Sequence, residues 1–302
     1  MHSVPSPSAH KPHDSDYSRN RARSIRFLVL LTAILALAFF LSLRAGSYNT
    51  PAAELIRGIF GRASDAKINL VIRNNRLPRI CTAMVAGAGL GLAGCILQAV
   101  LRNPLASAST LGVSQGATFG AAVAISSMLT GATTLLQYFA DEVALSSLVF
   151  WTFGDLGSTD WQSLRGMALA VLLLIGYCYL HRWDYNALLS GEETALSLGI
   201  HVRRLTLTNV VLTCFVCSVI VSHVGLINFI GLVAPHIVRM VVGNNYIYLI
   251  PGSVLAGAAL LLLSDLAARV VIMPVILPIG ALTAFLGGPL FLYLLFKGRG
   301  RT

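Results

Sequence analysis

Apolar stretches of about twenty residues recur along almost the whole chain, and they constrain its fold more than any single motif does. They lie at residues 27–43, 80–101, 108–139, 163–181, 205–223, 226–242, 249–270 and 279–296. A helix of ~20 residues spans the hydrocarbon core of a bilayer with its backbone groups bonded internally. The pattern predicts an all-α, polytopic transmembrane helix bundle of about eight spans. Charge agrees: only 11% of residues are charged and mean hydropathy is +0.75, where a soluble domain carries roughly a quarter charged residues. The net charge of +10 would suggest nucleic acid in a soluble protein. Here the cations flank spans, so the lipid bilayer is the expected partner and nucleic acid is not.

The first 26 residues are polar, hold Pro5, Pro7 and Pro12, and end in Arg19, Arg21, Arg23 and Arg26. They read as a disordered cytoplasmic tail (1–26) ahead of a transmembrane domain (27–302). No small-residue cleavage site precedes Arg44, so removal of the first span as a signal is not expected. Arg102, Arg182, Arg203, Arg204 and Arg239 fall on the tail's side, as do Lys297, Arg299 and Arg301. The expected setting is therefore the inner (plasma) membrane with both termini cytoplasmic. Residues 45–79 and 141–162 then lie outside, with 143–153 as an apolar helix at the outer face. The 45–79 loop breaks the positive-inside bias with Arg57, Arg62, Lys67, Arg73, Arg76 and Arg79. It reads either as a solvated loop or as a cationic landing site for an acidic partner. Pro78 stiffens the turn between Arg76 and Arg79, and arginine suits bidentate carboxylate pairing.

One loop, residues 184–203, has a pattern of its own. Gly191-Glu192-Glu193-Thr194-Ala195-Leu196-Ser197-Leu198-Gly199 predicts a short amphipathic helix. Glu192 and Glu193 favour its first turn and Gly199 ends it. Leu188, Leu189, Ala195, Leu196 and Leu198 supply apolar contacts. A loop that folds by itself at a membrane face is a candidate docking surface for another protein.

Within the spans, Asp265 and Arg269 stand i, i+4, which allows either a helix-local pair or a partner-facing Arg269. Gln98 and Gln115 suit interhelical hydrogen bonds. Gly87, Gly89, Gly91 and Gly94 suit close helix approach. Pro235, followed by His236, predicts a bent helix end, and Asn103-Pro104 a comparable break, a weak hint of internal repetition. His236 has no second ligand at metal spacing, so no metal site is expected. Cys81, Cys95, Cys178, Cys214 and Cys217 lie in apolar stretches and read as small apolar filler, Cys214-x-x-Cys217 included. No phosphate-cradling Gly-x-x-x-x-Gly-Lys-Ser/Thr and no catalytic constellation occurs, so the chain is not expected to be an enzyme or to bind a cofactor. An ATP-driven process would need its ATPase on another polypeptide.

Several motifs together resemble a known family. Arg76-Leu77-Pro78-Arg79, Gly94-x-x-x-Gln98, Arg102-Asn103-Pro104-Leu105-Ala106, Leu111-Gly112-Val113-Ser114, Gly191-Glu192 with Leu198-Gly199, Phe229-Ile230-Gly231-Leu232 with Pro235-His236-x-x-Arg239, and Leu277-Pro278-Ile279-Gly280 stand in the family's order. They resemble the permease subunits of type II ABC importers for iron-siderophore, haem and cobalamin uptake, the FecCD-type family. The resemblance implies a second permease subunit, two ABC ATPase subunits that bind the ATP, and an extracytoplasmic substrate-binding protein. It implies that Gly191, Glu192, Glu193, Leu196, Leu198 and Gly199 couple to the ATPase. It implies that Arg76, Arg79 and Arg269 face acidic residues of the binding protein, and that Asn103, Pro104, Pro235 and His236 form helix breaks.

The family usually has ten spans. Between Ser114-Gln115-Gly116-Ala117 and Phe150-Trp151 this chain is short by about one span and half of the next. The third and fifth spans of the family run in the same direction, so joining the start of one to the end of the other preserves the topology downstream. Three functions compete on the sequence: an importer permease, a transport-defective structural or regulatory subunit that still binds an ATPase, and a channel or secondary carrier with Asp265 as its sole ion-site candidate.

Overall fold

The computed structural model describes residues 13–45, 51–102, 116–272 and 275–299; Asn103, Pro104 and Gln115 lie outside them. Among the described residues the chain is all helix and turn. In order come α1 (His13–Arg44), α2 (Ala52–Ile59), α3 (Ala66–Val71), a π-helical turn (Ile72–Arg76), α4 (Leu77–Val100), α5 (Gly116–Phe139) and α6 (Glu142–Phe153). Then follow α7 (Trp161–Leu180), α8 (Arg182–Leu189), α9 (Glu192–Ser197), α10 (Val202–Val224), α11 (Ile230–Val242), α12 (Tyr246–Val270) and α13 (Ile279–Arg299). Five apolar helical stretches are long enough to cross a membrane: 18–44, 66–100, 161–180, 202–224 and 246–270. α5 and α11 fall within two of the other three expected spans, and α13 covers the third.

The core is built around α4. Twenty of its 24 residues are buried, among them Ile80, Leu92, Ile96 and Leu97. Its glycines explain how so many neighbours reach it. A Cβ on Gly87 or Gly91 would strike the backbone of Gly257 or Ser253 in α12; one on Gly89 would strike Val171 of α7 and Ile220 of α10. A Cβ on Gly94 would coincide with the carbonyl of Gly231 in α11. Absent side chains let backbones touch, which is the main attractive route between helices in lipid, where burial of apolar surface gains little.

Two expectations are corrected. The tail expected to be disordered up to Arg26 is helical from His13, continuous with the first span. Extending a helix already nucleated by a span adds one hydrogen bond per residue without a new nucleus, so a polar run can join it. The break expected at Pro235 is also displaced. α11 runs through Pro235 as a buried helical residue. The chain instead unwinds over residues 225–229, with Gly225 at φ 73° and Phe229 left-handed at φ 66°. Pro235 has no N–H for the carbonyl of Gly231, four residues earlier. That carbonyl is the one packed on Gly94.

Candidate functional site

The short helix α9 forms as the spacing predicts. Gly191, at φ +117°, starts it, and Glu192 and Glu193 occupy the first turn. Its end is a Schellman motif. The Ile200 amide donates to Ala195 O at 3.0 Å and the Gly199 amide to Leu196 O at 2.9 Å, with Gly199 left-handed at φ +82°. The apolar contact that accompanies this motif is present too: Ile200 packs on a small cluster of Leu188, Ala195 and Val202, separate from the main core.

This anchoring divides the apolar residues of the loop into two sets. Leu188 and Ala195 are buried, whereas Leu189, Leu196 and Leu198 are 51%, 55% and 65% exposed. The platform beneath is stapled to the spans. Tyr185 of α8 donates its hydroxyl to Asn209 of α10 at 2.7 Å, and Asn186 accepts from the Tyr246 amide at 2.9 Å and donates to Asn245 at 3.2 Å. Glu192 lies 3.5 Å from Arg102, just past the end of α4, as an ion pair between two exposed side chains. The arrangement presents a rigid apolar and acidic surface on an element joined to α4, α10 and α12.

The opposite end of the bundle gathers the other predicted cations. Asp265, fully buried, accepts from Arg79 Nε at 2.7 Å on one carboxylate oxygen and from Arg269 Nε at 3.0 Å on the other. Arg269 also donates to Ser42 O and Ala45 O at the end of α1, and to the Ser42 hydroxyl. Arg76 Nη1 donates to Leu43 O at 2.8 Å. Three guanidinium groups thus converge on one carboxylate and on the carbonyl end of α1, where cations complement the helix dipole. The helix-local pair that spacing allowed for Asp265 and Arg269 is formed, but Arg79 as second partner was not legible. Within this chain Arg76, Arg79 and Arg269 are not presented at the surface: Arg76 is 7% exposed, and the side chains of Arg79 and Arg269 are 12% and 9% exposed. Exposed cations of this end include Arg44, Arg57, Arg62, Lys67, Arg73 and Arg165.

At the end that carries α9, Gln98 of α4 accepts from Arg239 of α11 at 3.1 Å, the interhelical bond expected of it. His236 is half-buried one turn before Arg239. A junction that sequence reading missed brings Gly154, Gly225 and Gly280 together. A Cβ on any of them would strike the backbone of residues 151–154, 224–226 or 280. Positive φ at Gly154 and Gly225, 73° each, is the second reason for glycine there. Among the described residues no three His, Cys, Asp or Glu side chains gather as a metal site requires.

The FecCD transport family matches residues 34–126 and 121–297. A Methanocaldococcus jannaschii protein named as an ABC transporter permease is 38% identical, over 93% of this chain and 97% of its own. The hemin transport system permease of Yersinia pestis is 31% identical, over 90% and 95%. The vitamin B12 import system permease of Klebsiella pneumoniae is 32% identical, over 92% and 96%. A solved structure of a metal-chelate type ABC transporter in an inward-facing conformation superposes with a TM-score of 0.78 at 30% identity, covering 90% of this chain and 99% of that one. The first alignment runs over 339 positions, more than the 302 residues of this chain, so the relative carries residues this chain lacks. The two family matches meet at residues 121–126, inside α5.

Proposed function

The chain belongs to the FecCD transport family as the permease of an ABC importer, a multi-pass membrane subunit that is not itself an enzyme, and on that premise we propose that its cargo is a bulky metal chelate of the iron-siderophore class. The relatives named for hemin and vitamin B12 support a large chelate as cargo and make those two ligands the nearest alternatives. An ABC importer permease works with an ATPase and a substrate-binding protein. In the reading proposed here the permease pairs with a second copy of itself, both termini face the cytoplasm, and α9 docks on the ATPase. The observation that carries the docking part of this reading is α9 itself: Ala195 is fully buried while Leu196 and Leu198 are exposed. Such a surface is held in one orientation and left uncovered, as a transmission element must be.

The binding protein would land on the end bearing Arg57, Arg62, Lys67 and Arg73. At the same end lie the buried Arg76, Arg79 and Arg269, and an acidic partner would reach Arg79 and Arg269 by competing with Asp265.

A second reading, a subunit that binds an ATPase but does not transport, is supported by one observation. The family match is interrupted inside α5, and the exposed α5 side chains, Leu135, Leu136, Tyr138 and Phe139 among them, have little of this chain packed on them. Proteoliposomes containing the chain with its ATPase and binding protein test both readings. ATP-dependent accumulation of a ferric siderophore is the expected result. Uptake of haem or cobalamin with none of the siderophore would overturn the cargo assignment. ATPase binding without any uptake would establish the transport-defective reading.

A further inference from the structure

At the end of the bundle that carries α9, a groove of about 490 Å³ opens between the start of α1, the end of α11 and the start of α12. Arg21, Arg23 and Arg239 line it together with Asn244, Asn245 and Tyr248, and no carboxylate does. Arg21 and Arg23 are exposed, and neither has an ion-pair partner among the described residues. Arg239 reaches the same space from another helix, and its bond to Gln98 holds the guanidinium in place. Three cations from two elements therefore face one polar concavity with no carboxylate among the described residues that line it.

The position of the groove indicates what neutralises them. α1 lies at the edge of the bundle, and Ile25, Val29 and Leu30 on its next turns are 44%, 63% and 53% exposed. Apolar side chains left open directly beside a basic concavity match a molecule with an anionic head and apolar tails. Basic pockets between spans, level with the headgroups, take up phospholipid phosphates in this way. Solvated arginines at the end of a single helix would need no concavity and no cation from a second helix.

We propose that this groove is a binding site for the phosphate headgroup of an anionic phospholipid in the adjoining leaflet, with the acyl chains lying along α1. The site is independent of the cargo and of the docking partners.

Native mass spectrometry of the full chain, released from mild detergent with equal amounts of chain-matched phosphatidylglycerol and phosphatidylcholine, tests it. The anionic lipid should be retained over the zwitterionic one by about tenfold or more, given two to three unscreened cations. The Arg21→Gln/Arg23→Gln variant should bring that ratio close to one, whereas Arg21→Lys/Arg23→Lys should keep most of it. Both residues are exposed, so the fold should survive; Arg239 is left intact because it holds Gln98. The control Arg62→Gln/Lys67→Gln, at the opposite end, should leave the preference unchanged. Equal retention of the two lipids, or a preference that survives the double Gln variant, would overturn the proposal. Displacement of the lipid by millimolar inorganic phosphate would show a free-anion site and overturn the lipid assignment.

Discussion

α4 and α5 have the same length, 24 residues, and the same apolar character, yet they are opposites in the folded chain. α4 buries twenty residues and touches α12, α11, α10 and α7. From Ile125 to Phe139, almost every side chain of α5 is exposed. Hydrophobicity does not separate them, since a span is apolar whether it faces lipid or protein. Fit does. The glycines of α4 meet opposing backbone at three places and opposing side chains at a fourth, whereas a Cβ on Gly131 of α5 meets nothing within 4 Å. In lipid, packing and buried polar pairs decide which helices make the core. α5 is also where the two family matches meet.

The sharpest way to break the comparison is to fill the tightest contact. Gly94→Leu places a side chain where the Gly231 carbonyl stands, and backbone cannot rotate aside as a side chain can. A loss of about 4–5 kcal/mol is expected, at the extreme of single-site effects. Thermal unfolding in detergent should show no folded population at temperatures where the parent is intact. A variant as stable as the parent would mean that α4 and α11 do not approach this closely.

Next in size is the buried charge of the core. Asp265→Asn keeps the shape but leaves Arg79 and Arg269 without their shared counter-charge. Removing one partner of a buried ion pair costs about 3–5 kcal/mol, and the lower end is expected here because both arginines retain some exposure. The double variant Asp265→Asn/Arg79→Met should recover part of the loss, since the excess cation goes with its partner. An Asp265→Asn variant of unchanged stability would show that water or lipid, not Asp265, balances the two guanidinium groups.

Much of this architecture was legible in the sequence, and most of what was not depends on contacts between residues far apart in the chain. Span positions follow from local hydropathy, and α9 follows from Gly191 and Gly199 at its two ends. Gln98 was legible as an interhelical donor or acceptor because a polar side chain in a span needs a partner; which partner was not. Asp265 and Arg269 could be paired by their spacing, but Arg79 lies 186 residues away, and no local rule connects it to Asp265. The same holds for the junction of Gly154, Gly225 and Gly280: three glycines far apart in sequence become one contact only when α6, α10 and α13 converge. The burial of Arg76 was hidden for another reason. Charge in a loop reads as solvated, and only the carbonyl end of α1 arriving beside it makes burial affordable.

On the other side of the comparison, substitutions in α5 should have small effects. Leu136→Ala removes a side chain that is 70% exposed and should change the unfolding temperature by less than about 2 °C, equivalent to under ~0.5 kcal/mol. Gly131→Ala should stabilise the helix by up to ~1 kcal/mol, since nothing opposes the added methyl group. Both are measured in the same detergent as the core variants. A cost for Leu136→Ala comparable to that of a core truncation, about 2–5 kcal/mol, would mean that α5 is packed against something, and would erase the distinction from α4.

The smallest effect is expected outside both helices and depends on pH. In the segment between α2 and α3, the Ser64 amide and hydroxyl donate to Glu54 at 2.7 and 2.9 Å, and Arg57 lies 2.9 Å away. The amide and hydroxyl of Ser64, followed by Arg57, hold the Glu54 carboxyl below its ordinary value of 4.5. A carboxyl lowered in the folded state contributes stability that is fully present above its unfolded pKa and is lost as pH falls through the folded value. The fold of this segment should therefore be unchanged at neutral pH and loosen only below about pH 4.5. Hydrogen exchange resolves this locally: protection of the Ser64 amide should fall in that acidic window, while amides of α4 keep theirs. Glu54→Gln should abolish the pH step, because the amide side chain accepts hydrogen bonds without titrating. If protection in α4 fell over the same window, the segment and the core would be one cooperative unit, and the contrast between a tightly packed α4 and its surroundings would have to be redrawn at α2 instead of at α5.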